Sequence, residues 1–239
     1  MCAGGAAFAE DPATRWNGPF GGTFSASLTV VSEYSFAGIS QTNRQPAVQP
    51  GLHYRTPSIN EDINLWAYVA AWGSNVDFPG TGPGIEVDLL TGIKFLAFER
   101  RLTVDMGYVR YFYPGVPGSF AYDYGDFVVS VGYDFDLFQL NGRVRYSPNS
   151  FGASGNAWNK RALLTVPLPF LRVNENISFK VYGTLGNQYV DLPQNYGIPN
   201  NDYWYWQTGL VISAYGFDVT IAYTDTTIDY AGCGYTTNC

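Results

Sequence analysis

The sequence predicts an all-β fold, one antiparallel sheet closing into a barrel, and three observations predict it. Apolar and polar residues alternate with period two in segment after segment, each about ten residues long. The connections between those segments alternate between short and long. Aromatic residues are abundant and charges few, 17% against 14% of the 239 residues, with 19 Tyr, 16 Phe and 6 Trp. Although 46% of the chain is hydrophobic, it holds no run of the roughly 18 apolar residues that a membrane helix needs, which excludes a helical membrane protein. A soluble sandwich alternates in the same way, so the pattern specifies a sheet without specifying its surroundings.

Residues 1–9 contain Ala7, Phe8 and Ala9, a small-residue cleavage site, and read as the tail of an export signal without its basic and apolar parts. Cys2 belongs to that remnant, since no leucine-containing lipobox precedes it. No linker divides residues 10–239, which read as a single domain. After an irregular start, residues 24–36 form the first strand, with Leu28, Val30, Tyr34 and Phe36 on its apolar side and Thr29 and Glu33 on the other. A polar loop leads to the second, 47–55, where Val48 and Leu52 oppose Gln49 and His53. The third, 63–72, sets Ile63, Leu65, Ala67 and Val69 against Trp66, Tyr68 and Trp72.

The cleanest alternation is in 85–96, with Leu89, Ile93 and Phe95 outside and Glu86, Asp88 and Lys94 inside. In 102–113, Val104 and Met106 oppose Asp105 and Tyr111, while Arg110 falls on the apolar side. Either that guanidinium snorkels to the headgroups or a bulge reverses the parity. Residues 126–136 place Phe127, Val129 and Val131 outside and Asp126, Ser130, Asp134 and Asp136 inside. Strands at 140–147 and 158–168 carry Arg143, Arg145 and Arg161 inward, and 177–185 carries Lys180. Strands at 204–214 and 217–226 complete eleven, whereas single-chain bacterial barrels have an even number, so a twelfth is expected after the eleventh, beyond the chain as given.

The formal charge of -7 and the lack of any basic stripe disfavour a nucleic-acid partner. His53 is the only histidine, and no Ser motif or Cys and His spacing accompanies it, so neither a hydrolase nor a metal centre is indicated and no cofactor is expected. Cys233 and Cys239 lie in a Gly- and Thr-rich tail; in an exported protein they are most simply a loop disulfide, with free thiols as the alternative. The candidates for the wall of a lumen are Glu33, Gln49, His53, Glu86, Asp88, Lys94, Asp105, Asp126, Asp134, Arg143, Arg145, Arg161 and Lys180. Acids and arginines come from neighbouring groups of strands, so they form adjoining patches that either set a field across an open lumen or pair and plug a narrow one.

Four stretches in order, 32–54, 72–78, 85–95 and 111–115 (SEYSFAGISQTNRQPAVQPGLHY, WGSNVDF, IEVDLLTGIKF and YFYPG), resemble the TorF family of porin-like proteobacterial proteins over nearly the whole chain. The resemblance implies an antiparallel transmembrane β-barrel of about 12 strands in the bacterial outer membrane, with lipid and the barrel-assembly machinery as partners. It implies a porin-like channel for passive diffusion of small polar or charged solutes, and no enzyme; a closed barrel acting as receptor or adhesin through its long loops is the alternative. Members of the family usually carry arginines where this chain has Ser35 and Ala37, so their pore charge does not transfer.

Overall fold

A computed structural model describes residues 15–60, 62–80, 82–171 and 173–229. The expected signal remnant, residues 1–9, and the cysteines Cys233 and Cys239 lie outside them. The strands are β1 (Arg15–Asn17), β2 (Thr23–Val31), β3 (Ser35–Phe36), β4 (Ile39–Ser40), β5 (Ala47–Arg55), β6 (Trp66–Asn75) and β7 (Ile85–Ala97). They continue as β8 (Leu102–Phe112), β9 (Tyr124–Asp134), β10 (Gln139–Ser147), β11 (Ala157–Pro167), β12 (Ile177–Val190), β13 (Asp202–Ala214) and β14 (Phe217–Thr226). Twelve of them form one antiparallel meander, β1-β2-β5 and onward in sequence to β14, and β3 pairs only with β4.

The period-two pattern places most strand ends within one or two residues, and four differences stand out. The first strand stops at Val31, so Tyr34 and Phe36 leave the outer face and turn inward. The third begins at Trp66, after a turn that takes up Ile63. Strand β12 runs on through Gly186, Asn187 and Gln188 to Val190, because pairing to β11 and β13 carries backbone that the apolar pattern does not mark. The twelfth strand among the described residues is β1, at the N-terminal end, where the sequence reads as irregular; the strand expected after the eleventh lies outside the described residues. Among the described residues β1 and β14 do not pair, so the sheet is open and has two edges.

Register is continuous from Val87 opposite Phe112 to Ala97 opposite Leu102, so no bulge reverses the parity at Arg110. Its guanidinium lies on the outer face, 5.6 Å from the Phe112 ring centroid. That outer face is apolar and solvent-exposed, with Leu28, Leu52, Leu89, Val129, Leu164 and Ile221 among its residues. Tyr108, Phe127, Tyr146, Trp158 and Tyr189 are successive register partners across β8 to β12 and make an unbroken aromatic row. At the opposite rim Phe98, Phe135, Phe170 and Phe217 are exposed. Among the described residues no helix is long and apolar enough to cross a membrane.

The inner face is the packed one. Tyr68 lies flat across Gly92 and Gly107, which are register partners; a Cβ on either would come within 2.7 or 2.8 Å of the Tyr68 hydroxyl. Two aromatic-rich clusters fill the end of the interior nearer the long connections, one around Tyr34, Trp72, Tyr111 and Tyr113, the other around Ile39, Tyr196 and Tyr205. Phe36 and Phe151 pack against both and join them.

Candidate functional site

The segment between β2 and β5 folds into the interior as a small hairpin. Its two-residue turn is Ala37-Gly38, both with positive φ (49° and 83°), as a tight hairpin turn demands. The Gln41 amide donates to the Tyr34 carbonyl at 2.7 Å, and the Tyr34 amide to the Thr42 hydroxyl at 3.2 Å, closing its base. The loop after β6 braces it, the Asp77 amide donating to the Gln41 carbonyl at 2.9 Å. On one side Tyr34 meets Trp72 of β6 edge-on at 5.5 Å and donates its hydroxyl to Glu86 of β7 at 3.1 Å. On the other, Gly38 abuts β13 and β14 so closely that a Cβ there would lie 2.9 Å from Tyr205 Cβ and 3.2 Å from Thr226 Cβ. A hairpin this small reaches both β7 and β14 only because the sheet curls around it.

Acidic side chains of the inner face are mostly anchored. Glu86, 2% exposed, accepts from Tyr34 and Tyr113, both at 3.1 Å. Asp105 accepts from Tyr68 at 2.8 Å and faces Lys94 in register. Asp126 of β9 takes the Arg145 guanidinium at 2.7 and 2.8 Å across the seam to β10, in an ion pair almost wholly removed from solvent. Arg145 also donates to the Tyr111 hydroxyl and stacks its guanidinium 4.6 Å from the Phe36 ring centroid, so one side chain joins both walls to the hairpin. Asp88, 1% exposed, accepts from no tyrosine or guanidinium; its carboxyl lies beside that of Glu86 and interacts through space with it and with Arg145.

Arginines 143 and 161 differ. They are direct register partners on β10 and β11, both on the inner face, and the Nε atoms of both are buried without a hydrogen-bond partner, as is Ser35 Oγ of the hairpin. These three side chains line one cavity of about 30 Å³.

Of the remaining candidates, Gln49 is buried and hydrogen-bonds Ser74 at 3.3 Å, and His53 stacks on Tyr68 with centroids 5.5 Å apart. Lys180 lies on the inner side of β12, between Pro167 and Val211. Two candidates sit away from the wall. Glu33 is exposed in the link between β2 and the hairpin, because the strand has already ended. Asp134 closes a rim turn, accepting from the Asp136 amide at 2.8 Å and Gln139 Nε2 at 2.9 Å. Asp136, expected inward, is in that turn with φ 66° and pairs with Arg101 at 2.8 Å.

The residues that the alternation misplaces are Tyr34 and Phe36. The Ala-Gly pair at 37–38 between Phe36 and Ile39 is a short-hairpin signal that could have found them. Loops at the same end close over the hairpin. Tyr122 stacks on Phe151 at 4.2 Å, and burial pushes the Tyr196 hydroxyl well up from its usual range, keeping it neutral. Asn156 donates its side chain at 2.8 Å and its amide at 3.0 Å to Asp191, which lowers the pKa of that carboxyl.

No curated protein matches the chain. A family model described as a bacterial protein of unknown function (Gcw_chp) matches residues 16–239, from inside β1 through the whole sheet. The chain therefore belongs to the Gcw_chp family of bacterial proteins, whose description assigns no activity.

Proposed function

We propose that the chain is an outer-membrane β-barrel whose lumen is narrowed by the in-folded hairpin and which passes small polar or charged solutes by passive diffusion, with no chemistry of its own. The observation that carries this reading is the inverted polarity of the sheet. Its outer face exposes aliphatic side chains bordered by an aromatic row, while its inner face holds Glu86, Asp105, Asp126 and three arginines. A soluble protein buries its apolar face, whereas a membrane barrel turns that face to lipid and keeps its interior polar. The TorF-family resemblance and the alternation of strand connections support the same reading. On it, closure between β14 and the N-terminal strand completes the barrel.

The test is planar-bilayer conductance of the refolded full chain across a salt gradient. Steps of current without added ligand are the expected result. A second reading is a closed barrel that acts as a receptor, favoured by the packing of Phe78, Tyr113, Tyr122 and Phe151 over the hairpin at the long-loop end. A protein that inserts, resists protease and never conducts overturns the channel and leaves the receptor.

A further inference from the structure

We propose that Arg143 and Arg161, with Ser35 of the hairpin, form a binding site for one small oxyanion of the phosphate or sulfate type. Three independent observations converge on it. First, the two arginines stand directly opposite each other on neighbouring antiparallel strands. Side chains so placed leave their strands only about 5 Å apart at Cβ, and like charges there destabilise the pair. Second, Arg143 Nε, Arg161 Nε and Ser35 Oγ are buried and unsatisfied, and the ion pairs among the described residues are made by Arg101 and Arg145, not by either of these guanidiniums. Buried donors are nearly always satisfied, so three around one space call for an acceptor. Third, no carboxylate of the described residues lines that space: Ser35, Phe36 and Gly38 line it on the hairpin side, and Asn159, Thr184 and Thr224 are among its neutral wall residues.

Arg145 also borders the cavity, but Asp126 already matches its charge. The unmatched charge is that of two guanidiniums. Each is a planar fork that takes a pair of oxygens, a geometry that a tetrahedral oxyanion satisfies and a spherical chloride does not. A volume of about 30 Å³ exceeds what one water requires. The site rests on the channel reading only for a role in selecting what permeates; binding itself needs no more than the folded sheet.

The experiment measures inorganic phosphate bound to the refolded full chain in detergent by equilibrium dialysis, with sulfate or chloride as competitor at constant ionic strength. Expected is one saturable site from which sulfate displaces phosphate and chloride does not. Arg143→Gln and Arg161→Gln should each weaken binding about tenfold or more, the loss of one charge-assisted contact, with Arg143→Lys in between. Removing one of two facing cations relieves repulsion, so Arg143→Gln should keep the heat-modifiable migration of the parent, which separates lost binding from misfolding. Phosphate uptake that is unsaturable, unchanged in both Gln variants, or displaced equally by chloride overturns the site. A chain that binds phosphate but never conducts refutes the channel alone; one that conducts without saturable binding refutes the site alone.

Discussion

The two halves of the inner face carry charge in opposite ways. On β7, β8 and β9 three acids are tied into the structure, and only Asp88 lacks such a tie: two tyrosines hold Glu86, Tyr68 holds Asp105, and Arg145 holds Asp126. On β10 and β11, one strand further round, Arg143 and Arg161 stand side by side in register and line one cavity, with no acid among its described lining residues. Identical residue types two positions apart on β10 thus have different work. Arg145 fastens the hairpin to the wall, and Arg143 keeps a buried Nε without a partner. Sign alone does not separate structural from functional charge; partners do.

Substitutions that break the two halves should therefore give unequal results. The largest effect is expected from Arg145→Met, which leaves Asp126 buried without a partner. Losing one member of a buried pair costs about 3–5 kcal/mol, read as a lower midpoint for denaturant unfolding in lipid. Arg143→Gln, two residues away, should leave that midpoint unchanged or raise it, and an equal fall in both variants would erase the distinction. Next is Val129→Arg on the outer side of β9, expected to cost about 2–4 kcal/mol if that face meets acyl chains. A spin label at Val129 should be accessible to oxygen and shielded from polar relaxants, and the reverse accessibility would turn the register inside out.

Tyr34→Phe removes one donor from buried Glu86 and should cost about 1–3 kcal/mol, with Tyr113→Phe similar, since both act on the same carboxylate. The smallest effect is local and depends on pH. Because Asn156 lowers the pKa of Asp191, the folded value lies below the unfolded one. The stabilisation is thus complete above the unfolded value, about 4, and is lost as pH falls through the folded one. Hydrogen exchange at the Asn156 amide should speed up only in that acid window, and Asp191→Ala should remove the dependence.

Much of this architecture was legible because a two-residue period has one consequence per residue. Leu89 and Glu86 fall on opposite faces whatever the rest of the chain does, and so do Val129 and Asp126. The arginines of β10 and β11 were placed inward for the same reason. What the period could not reveal was where a strand stops while its alternation continues. From Phe24 to Phe36 the pattern is unbroken, yet pairing to β5 ends at Val31 opposite Ala47. Tyr34 and Phe36 then find partners in Glu86 and Arg145 that are remote in sequence, and no local signal encodes such contacts. Nor does alternation say which charges are matched: Asp126 and Arg145 pair through the register of β9 and β10, which only the assembled sheet fixes.

The reach of the hairpin also orders events in time. Gly38 packs on Tyr205 and Thr226, so its final contacts span almost the whole sheet in sequence, and loop-closure entropy makes such long-range contacts slow to form. The hairpin has nowhere to dock until β6, β7, β10, β13 and β14 stand around it. It is therefore expected to set last, with the interior wet until it does. A thiol introduced at Ser40, which is 5% exposed in the finished fold, should become shielded from alkylation only after the strands have become protease-resistant. Shielding that comes first would mean that the hairpin nucleates the sheet instead of sealing it.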